Sequence, residues 1–197
     1  MPSLFIDSLV YQLNHKPLLN NLYFQLETGE IVELVGANGK GKSTFLEVLF
    51  GTKKAQHLHM RIEEKVIQKS RHFQRYFALK PQFSIFPKHL RLGDVLPETY
   101  WNWPEFEGKR QEKIHDFSTG IQQLIQTLFV LDLPQPFILL DEPFAGLSPL
   151  LQERLCTVLT EKIKTKGILI VNHLPDCLST IRTRQVQLEN GTLYTNK

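Results

Sequence analysis

A glycine-rich segment in the first quarter of the chain constrains the fold more than any other feature. Residues 36–44 read Gly-Ala-Asn-Gly-Lys-Gly-Lys-Ser-Thr and fit the pattern G-x-x-x-x-G-K-[ST]. The apolar run at 31–35 precedes the segment, and apolar residues at helical spacing over 45–49 follow it. The segment therefore predicts a strand, a tight loop and a helix in that order, which is the beginning of an α/β fold.

The same loop has the chemistry of a phosphate site. Glycines let backbone N–H groups point towards one anion, and the N-terminus of the following helix adds the positive end of a dipole. We expect Lys42 to reach the β- and γ-phosphates of a nucleotide and the Ser43 hydroxyl to ligate Mg²⁺. The alternative is a chance glycine-rich turn, which the flanking strand and helix argue against. Lys40 either adds positive charge near the phosphates or faces solvent. The predicted nucleotide-binding residues are Gly36, Asn38, Gly39, Lys40, Gly41, Lys42, Ser43 and Thr44.

Two acids close a second apolar run, at 137–141. Asp141 ends the run and Glu142 follows it. Ligands of open α/β sheets bind outside the carboxyl ends of the strands, so we expect Asp141 beside the phosphate loop, holding Mg²⁺. Glu142 would then orient and deprotonate a water in line with the γ-phosphate. A solvated loop is the alternative for two adjacent acids, but their place at the end of an apolar strand favours catalysis.

The remaining pattern predicts one domain over residues 1–197. Short apolar runs separated by turn residues over 4–35 indicate N-terminal strands, and continuous apolar runs at 137–141 and 168–171 indicate strands buried on both faces. We predict an α/β fold: a P-loop NTPase core with a mostly parallel sheet, an N-terminal antiparallel β subdomain and a small inserted helical subdomain at about 83–135.

Composition narrows the class of protein. The chain has 23 Lys and Arg against 20 Asp and Glu, a net charge of +3 spread along its length, so we expect no nucleic-acid partner. No run approaches the ~18 apolar residues of a membrane span, and no signal peptide is expected. Cys156 and Cys177 fall in helical patterns without metal-ligand spacing, so we expect reduced thiols and a cytoplasmic location.

Four further landmarks give the chain a family resemblance. They are Lys80-Pro-Gln82, the segment Phe117-Ser-Thr-Gly-Ile121, the segment Ala145-Gly-Leu-Ser148, and Val171-Asn-His173. Together with the phosphate loop and the two acids, they occur in the order found in the nucleotide-binding subunits of ATP-binding cassette (ABC) transporters. The chain resembles that family over essentially its whole length. The resemblance implies ATP and Mg²⁺ as ligands and the hydrolysis of ATP coupled to transport.

The sequence predicts three more site residues. Gln82 can bring an amide oxygen to Mg²⁺ or its water, in a loop that joins the core to the inserted lobe and suits a γ-phosphate sensor. His173 ends a buried strand near the acids, where a ring nitrogen could hydrogen-bond the γ-phosphate. The resemblance implies that Tyr11 stacks on adenine, although Tyr23 or a purely structural tyrosine are competing interpretations.

The segment from Phe117 to Ile121 corresponds to the family's signature, Leu-Ser-Gly-Gly-Gln. The resemblance implies that its residues contact the γ-phosphate held by a second ABC subunit, in a homodimer or heterodimer. Thr119, Ile121 and Ser148 depart from the family's usual glycine, glutamine and aspartate, so slow hydrolysis or pairing with a different subunit are both open. The predicted contact residues in trans are Ser118, Thr119, Gly120 and Ile121.

The resemblance also implies an integral membrane partner, reached from the inner face of the membrane. Aromatic and apolar residues over 83–106 could line a groove for that partner or form the core of the inserted lobe. They are Phe83, Ile85, Phe86, Trp101, Trp103 and Phe106. A soluble ABC-type ATPase of repair, cluster assembly or translation, or a slow-hydrolysing nucleotide switch, are the alternative functions.

Overall fold

A computed structural model describes residues 2–173 and 178–195. The described strands are β1 (Ser3–Leu13), β2 (Lys16–Leu19), β3 (Tyr23–Glu27), β4 (Ile31–Val35), β5 (His57–Ile62), β6 (Lys65–Val66), β7 (Phe77–Lys80), β8 (Phe137–Asp141), β9 (Gly167–Val171), β10 (Arg184–Glu189) and β11 (Thr192–Thr195). The described α-helices are α1 (Lys42–Phe50), α2 (Thr119–Asp132) and α3 (Pro149–Lys162). Short 3₁₀ turns lie at Ser70–Arg75, Leu92–Asp94, Glu98–Tyr100 and Ile114–Asp116. The predicted α/β class is confirmed.

A mostly parallel sheet forms the centre of the described structure, with strand order β11-β10-β4-β9-β8-β7. Neighbours from β10 to β7 run parallel, and β11 pairs antiparallel with β10 through a hairpin. Side chains alternate across the sheet. Leu139 therefore joins one core while Ile138 and Leu140 join the other. Burial on both faces explains the continuous apolar runs of β8 and β9.

Each face of this sheet is covered by different elements. The core on one face joins the sheet to α1 and to a second sheet, in which β1 pairs antiparallel with β2, β3 and β5, and β5 with β6. The core on the other face joins it to α2, α3 and the inserted segment. The N-terminal antiparallel subdomain is thereby confirmed.

Local sequence signals account for the element boundaries. Gly51 ends α1 in the left-handed conformation (φ 88°), and its N–H donates to the carbonyls of Glu47 and Val48. Asn190 and Gly191 both have positive φ, as the tight turn of a two-residue hairpin requires. Ser118 precedes α2, and its hydroxyl accepts a hydrogen bond from the backbone N–H of Ile121 at 3.4 Å.

The segment between β7 and α2 has a small aromatic core of its own. Tyr100 and Phe106 are buried, and the Trp103 ring stacks on Phe106 with centroids 5.9 Å apart. The Arg154–Glu105 ion pair, at 2.7 Å, fastens the segment to α3. Phe106 therefore belongs to the core of this segment, as one of the two interpretations predicted, and the half-buried Trp103 ring packs against it.

Two sequence expectations concern cysteines and membrane spans. Cys156 lies in α3 as predicted, whereas Cys177 is outside the described residues. Among the described residues, none of the helices has the length and apolar character needed to cross a bilayer.

Candidate nucleotide site

The glycine-rich loop joins the carboxyl end of β4 to the N-terminus of α1, as predicted. Gly36 packs against the backbone of β10, where a β-carbon would lie 2.6 Å from the carbonyl oxygen of Leu188. Gly41 precedes α1 with φ 103°, a conformation that residues with a side chain rarely adopt. The backbone path therefore requires glycine at both positions. The first N–H groups of α1, which follow this loop, have no partner within the helix.

Lys42 is held over this loop. Its ammonium donates to the carbonyl oxygens of Gly36 at 2.7 Å and Ala37 at 3.0 Å. Burial lowers the pKa of Lys42, while the negative charges of Asp141 and Glu142 act in the opposite direction. A buried cation is thus positioned inside the loop and close to both acids.

The loop and the acids of β8 lie in one place. A cleft of about 380 Å³ contains the loop, the first turn of α1 and the ends of neighbouring strands. Parallel strands β7, β8 and β9 end at the same edge of the sheet, so residues far apart in sequence meet there. The cleft is lined by Leu13, Leu18, Asn38, Gly39, Gly41, Lys42, Ser43, Thr44, Gln82, Glu142, Val171 and His173.

A smaller adjoining cavity, of about 150 Å³, brings together the three predicted metal ligands, Ser43, Gln82 and Asp141. The Ser43 hydroxyl donates to the Asp141 carboxylate, and this hydrogen bond opposes the rise in the pKa of Asp141 that burial causes. Hydroxyl, amide and carboxylate oxygens are hard ligands of the kind Mg²⁺ prefers. The side chains present therefore fit a magnesium ion.

Glu142 is the centre of the predicted catalytic group. Its two carboxylate oxygens face different partners: Nε2 of Gln82 donates to Oε2 at 3.2 Å, and Nε2 of His173 lies 3.2 Å from Oε1. Glu142 itself has φ 50°, so the chain turns sharply as it leaves β8. Two side chains, from the ends of β7 and β9, thus converge on the carboxylate that follows the strand between them.

Helix α2 holds the Gln82 loop in place, a feature that the sequence did not predict. The buried amide of Gln126 donates to the carbonyls of Pro81 at 3.1 Å and Phe83 at 3.0 Å, and it accepts from the N–H of Ile85 at 3.3 Å. Because one amide satisfies three backbone groups of the loop, the position of Gln82 depends on α2.

Lys80 is a second feature that sequence reasoning missed. It is fully buried at the end of β7, and its ammonium donates to the backbone carbonyls of Asp141 at 2.8 Å and Glu142 at 3.2 Å. Burial lowers the pKa of Lys80 to about 8, against the attraction of the two acids. The only sequence signal was a lysine at the end of an apolar strand.

The remaining predicted residues lie elsewhere. Tyr11 is half-buried against the core of the antiparallel sheet, and Leu13 and Leu18 line the cleft instead. Lys40 is exposed and is not a lining residue. The four signature residues, 118–121, lie around the start of α2 and do not line the cleft, and their contact with a second subunit stays a prediction.

Comparison with known protein families shows which family the chain belongs to. The family model described as "ABC transporter" matches residues 19–145, which include the phosphate loop, Gln82, the signature segment and the acids. The chain belongs to the ABC transporter family. It is an ATP-binding domain of that family, and its relatives carry the same description.

The chain is similar to ATP-binding proteins of bacteria. A putative ABC transporter ATP-binding protein of Bacillus thuringiensis is 32% identical over 182 residues, covering 83% of this chain and 33% of that protein. The chain thus spans about a third of the length of the relatives matched first. The lipopolysaccharide export system ATP-binding protein LptB of Acidithiobacillus ferridurans is 26% identical, with coverage of 85% of this chain and 78% of LptB.

Solved ABC structures share the fold. An ATP-binding subunit of an ABC transporter superposes with a TM-score of 0.84 at 24% identity, covering 98% of this chain and 89% of that one. A bacterial Atm1-family ABC exporter with ATP bound gives a TM-score of 0.82 at 17% identity, covering 98% of this chain and 38% of the exporter chain.

Proposed function

We propose that this chain is the ATP-binding and ATP-hydrolysing subunit of an ABC transporter, dependent on Mg²⁺. The observation that carries the proposal is the convergence of Gln82 and His173 on Glu142, at the rim of the cleft that contains Lys42. A carboxylate in that place has the position of a general base for a water attacking the γ-phosphate.

Each residue of the site has a separate role in the proposed reaction. Lys42 and the loop N–H groups bind the β- and γ-phosphates, and Glu142 accepts the proton of the attacking water. Gln82 and His173 keep the Glu142 carboxylate and that water in line. Ser43, Asp141 and Gln82 would hold Mg²⁺, which would supply positive charge against the negative charge of the phosphates.

A second ABC subunit completes the site in our proposal. The start of α2 presents Ser118 and backbone N–H groups, and a helix N-terminus favours anions. We propose that this segment contacts the γ-phosphate bound by the partner subunit. Thr119 and Ile121 place larger or apolar side chains there, so the proposed turnover of a homodimer is slow. Pairing with a different subunit remains compatible with the same geometry.

The proposed membrane partner is an integral transporter subunit. A groove of about 500 Å³ beside the Gln82 loop is lined mostly by apolar side chains, and Phe83 is 69% exposed at it. Ile85 lines the same groove. Exposed apolar side chains in a groove suit an apolar segment of a partner. We propose that the chain works at the inner face of the membrane through this contact, with 83–135 as a lobe of one domain.

Hydrolysis is tested with Glu142→Gln, assayed by phosphate release and by ATP-dependent dimerisation in analytical ultracentrifugation. Loss of the base predicts a fall in kcat of about a hundredfold or more, and retained ATP then favours a dimer. Glu153→Gln, on an exposed position of α3, is the matched control and keeps the wild-type rate. Undiminished phosphate release by Glu142→Gln would remove Glu142 as the base.

The membrane partner is tested by affinity purification from native membranes. Wild-type protein is expected to retain an integral membrane protein, and Phe83→Asp to lose it because a charge enters the apolar groove. Tyr194→Asp, at an exposed aromatic residue outside that groove, should retain it. Recovery of only soluble proteins would contradict the transporter assignment.

A further inference from the structure

Lys80 is a buried cation with no part in the chemistry described so far. The side chain is 0% exposed, yet it lies beneath the two acids that end the neighbouring strand β8. Burying an ammonium group costs free energy unless hydrogen bonds and opposite charges compensate it. Here the partners are backbone carbonyls of Asp141 and Glu142, with the negative charges of the same two residues nearby.

These carbonyls lie in a turn whose backbone conformation is uncommon. Glu142 leaves β8 with φ 50°, in the left-handed region that residues with a side chain seldom adopt. Its N–H donates to the carbonyl of Val171 at 2.9 Å, and its carbonyl also accepts from Ala145 at 3.3 Å. A charged donor that spans two successive carbonyls stabilises this turn against a relaxed backbone path.

We propose that Lys80 is a positioning residue for ATP hydrolysis. Its ammonium holds the turn from Asp141 to Glu142 so that the Glu142 carboxylate meets Gln82 and His173. This inference depends on the proposed hydrolytic function. A shift of about 1 Å in a catalytic carboxylate is enough to lower a rate by orders of magnitude, whereas binding of the nucleotide through the loop of Lys42 does not depend on the turn.

The chain provides a matched control for buried lysines. Lys166 is also buried, and its ammonium donates to two backbone carbonyls, of Leu133 at 2.5 Å and Gln135 at 2.9 Å. It directly precedes β9, at the amino end of the sheet, whereas Lys80 closes β7 at the carboxyl end. If the loss of any buried ammonium group lowers activity, substitution of Lys166 should lower it as much as substitution of Lys80 does.

The experiment compares Lys80→Met with Lys166→Met in full-length protein. Steady-state phosphate release is expected to show kcat reduced about tenfold or more in Lys80→Met with KM within about threefold, and kcat within about twofold in Lys166→Met. Lys80→Gln, which is too short to span both carbonyls, is a second variant with the same expected direction. An unchanged kcat in either Lys80 variant, or an equal fall in Lys166→Met, would overturn the proposal.

Hydrogen exchange provides a readout that does not require hydrolysis. Amide exchange over residues 142–147 should accelerate about tenfold in Lys80→Met relative to wild type and Lys166→Met. Unchanged exchange over this segment would also overturn the positioning role. Wild-type protein that binds ATP without releasing phosphate would instead contradict the proposed function, and the exchange experiment would still decide whether Lys80 holds the turn.

Discussion

Gly120 lies in backbone contact with Gly146: a β-carbon at Gly120 would be 2.2 Å from the carbonyl oxygen of Gly146. The first turn of α2 therefore contacts the loop that follows Asp141 and Glu142, and no side chain lies between the two backbones. Because Gly146 has φ 73°, both glycines are required, one by space and the other by conformation. The start of α2 and the loop that follows Asp141 and Glu142 are thus packed as one unit.

Gly120→Ala should disrupt this contact. The added methyl group forces α2 away from the loop, which predicts a loss of about 1–3 kcal/mol in the free energy of unfolding, typical of overpacking. Denaturant unfolding measures this loss. Thr119→Ala, at the exposed preceding position, is expected to change the free energy of unfolding by less than about 0.5 kcal/mol. Equal stabilities of the two variants would show that the loop adapts without cost.

Gln126→Leu should release the Gln82 loop from α2. The substitution leaves the carbonyls of Pro81 and Phe83 and the N–H of Ile85 without their partner, which predicts a loss of about 1–3 kcal/mol. Hydrogen exchange over 81–85 should accelerate in the folded protein.

The control for this variant is Gln152→Leu. Its amide donates to the carbonyl of Leu147 at 3.1 Å, outside both the nucleotide cleft and the groove beside the Gln82 loop. It should leave exchange over 81–85 unchanged. Protection of 81–85 that survives Gln126→Leu would mean that other contacts hold the loop.

Local patterns were enough to predict the phosphate loop and the acids, because each is a short run whose structure its own residues determine. The glycines determine a backbone path, and an apolar strand that ends in Asp141 and Glu142 must deliver them to the ligand edge of a parallel sheet. The resemblance to the ABC family then predicted that Gln82 and His173 would join them.

The contacts of Lys80 and Gln126 could not be predicted in the same way. Each contact joins residues about 40 to 60 positions apart in sequence. The partners of these side chains are backbone groups, which every residue has, so the pairing cannot be recognised from the sequence. The prediction that Tyr11 stacks on adenine depends on which face of β1 its side chain occupies. Side chains alternate between the two faces of a strand, and a register shift between Tyr11 and Gln12 changes this alternation. Leu13 lines the cleft.

Lys42→Ala should abolish nucleotide binding or nearly so. The buried ammonium is the cation inside the phosphate loop, and truncation leaves the carbonyls of Gly36 and Ala37 without their donor. A fall in ATP affinity of about a hundredfold or more is expected by isothermal titration calorimetry. Lys54→Ala, at an exposed position past the end of α1, should bind ATP as wild type does. Normal affinity in Lys42→Ala would refute the assignment of the loop.

The buried ammonium of Lys80 should make stability depend on pH. Burial lowers its pKa to about 8 in the folded protein, below the ordinary value of 10.5, so the unfolded chain binds more protons between these values. Stability contributed by Lys80 therefore rises with pH across this window. Between about pH 7 and about pH 9.5, the free energy of unfolding of wild type should rise by about 2 kcal/mol relative to Lys80→Met. Chemical denaturation of both proteins at several pH values measures the difference, with Lys54→Met as the exposed control that follows wild type. A constant difference between wild type and Lys80→Met would mean that the Lys80 pKa is not lowered in the folded state.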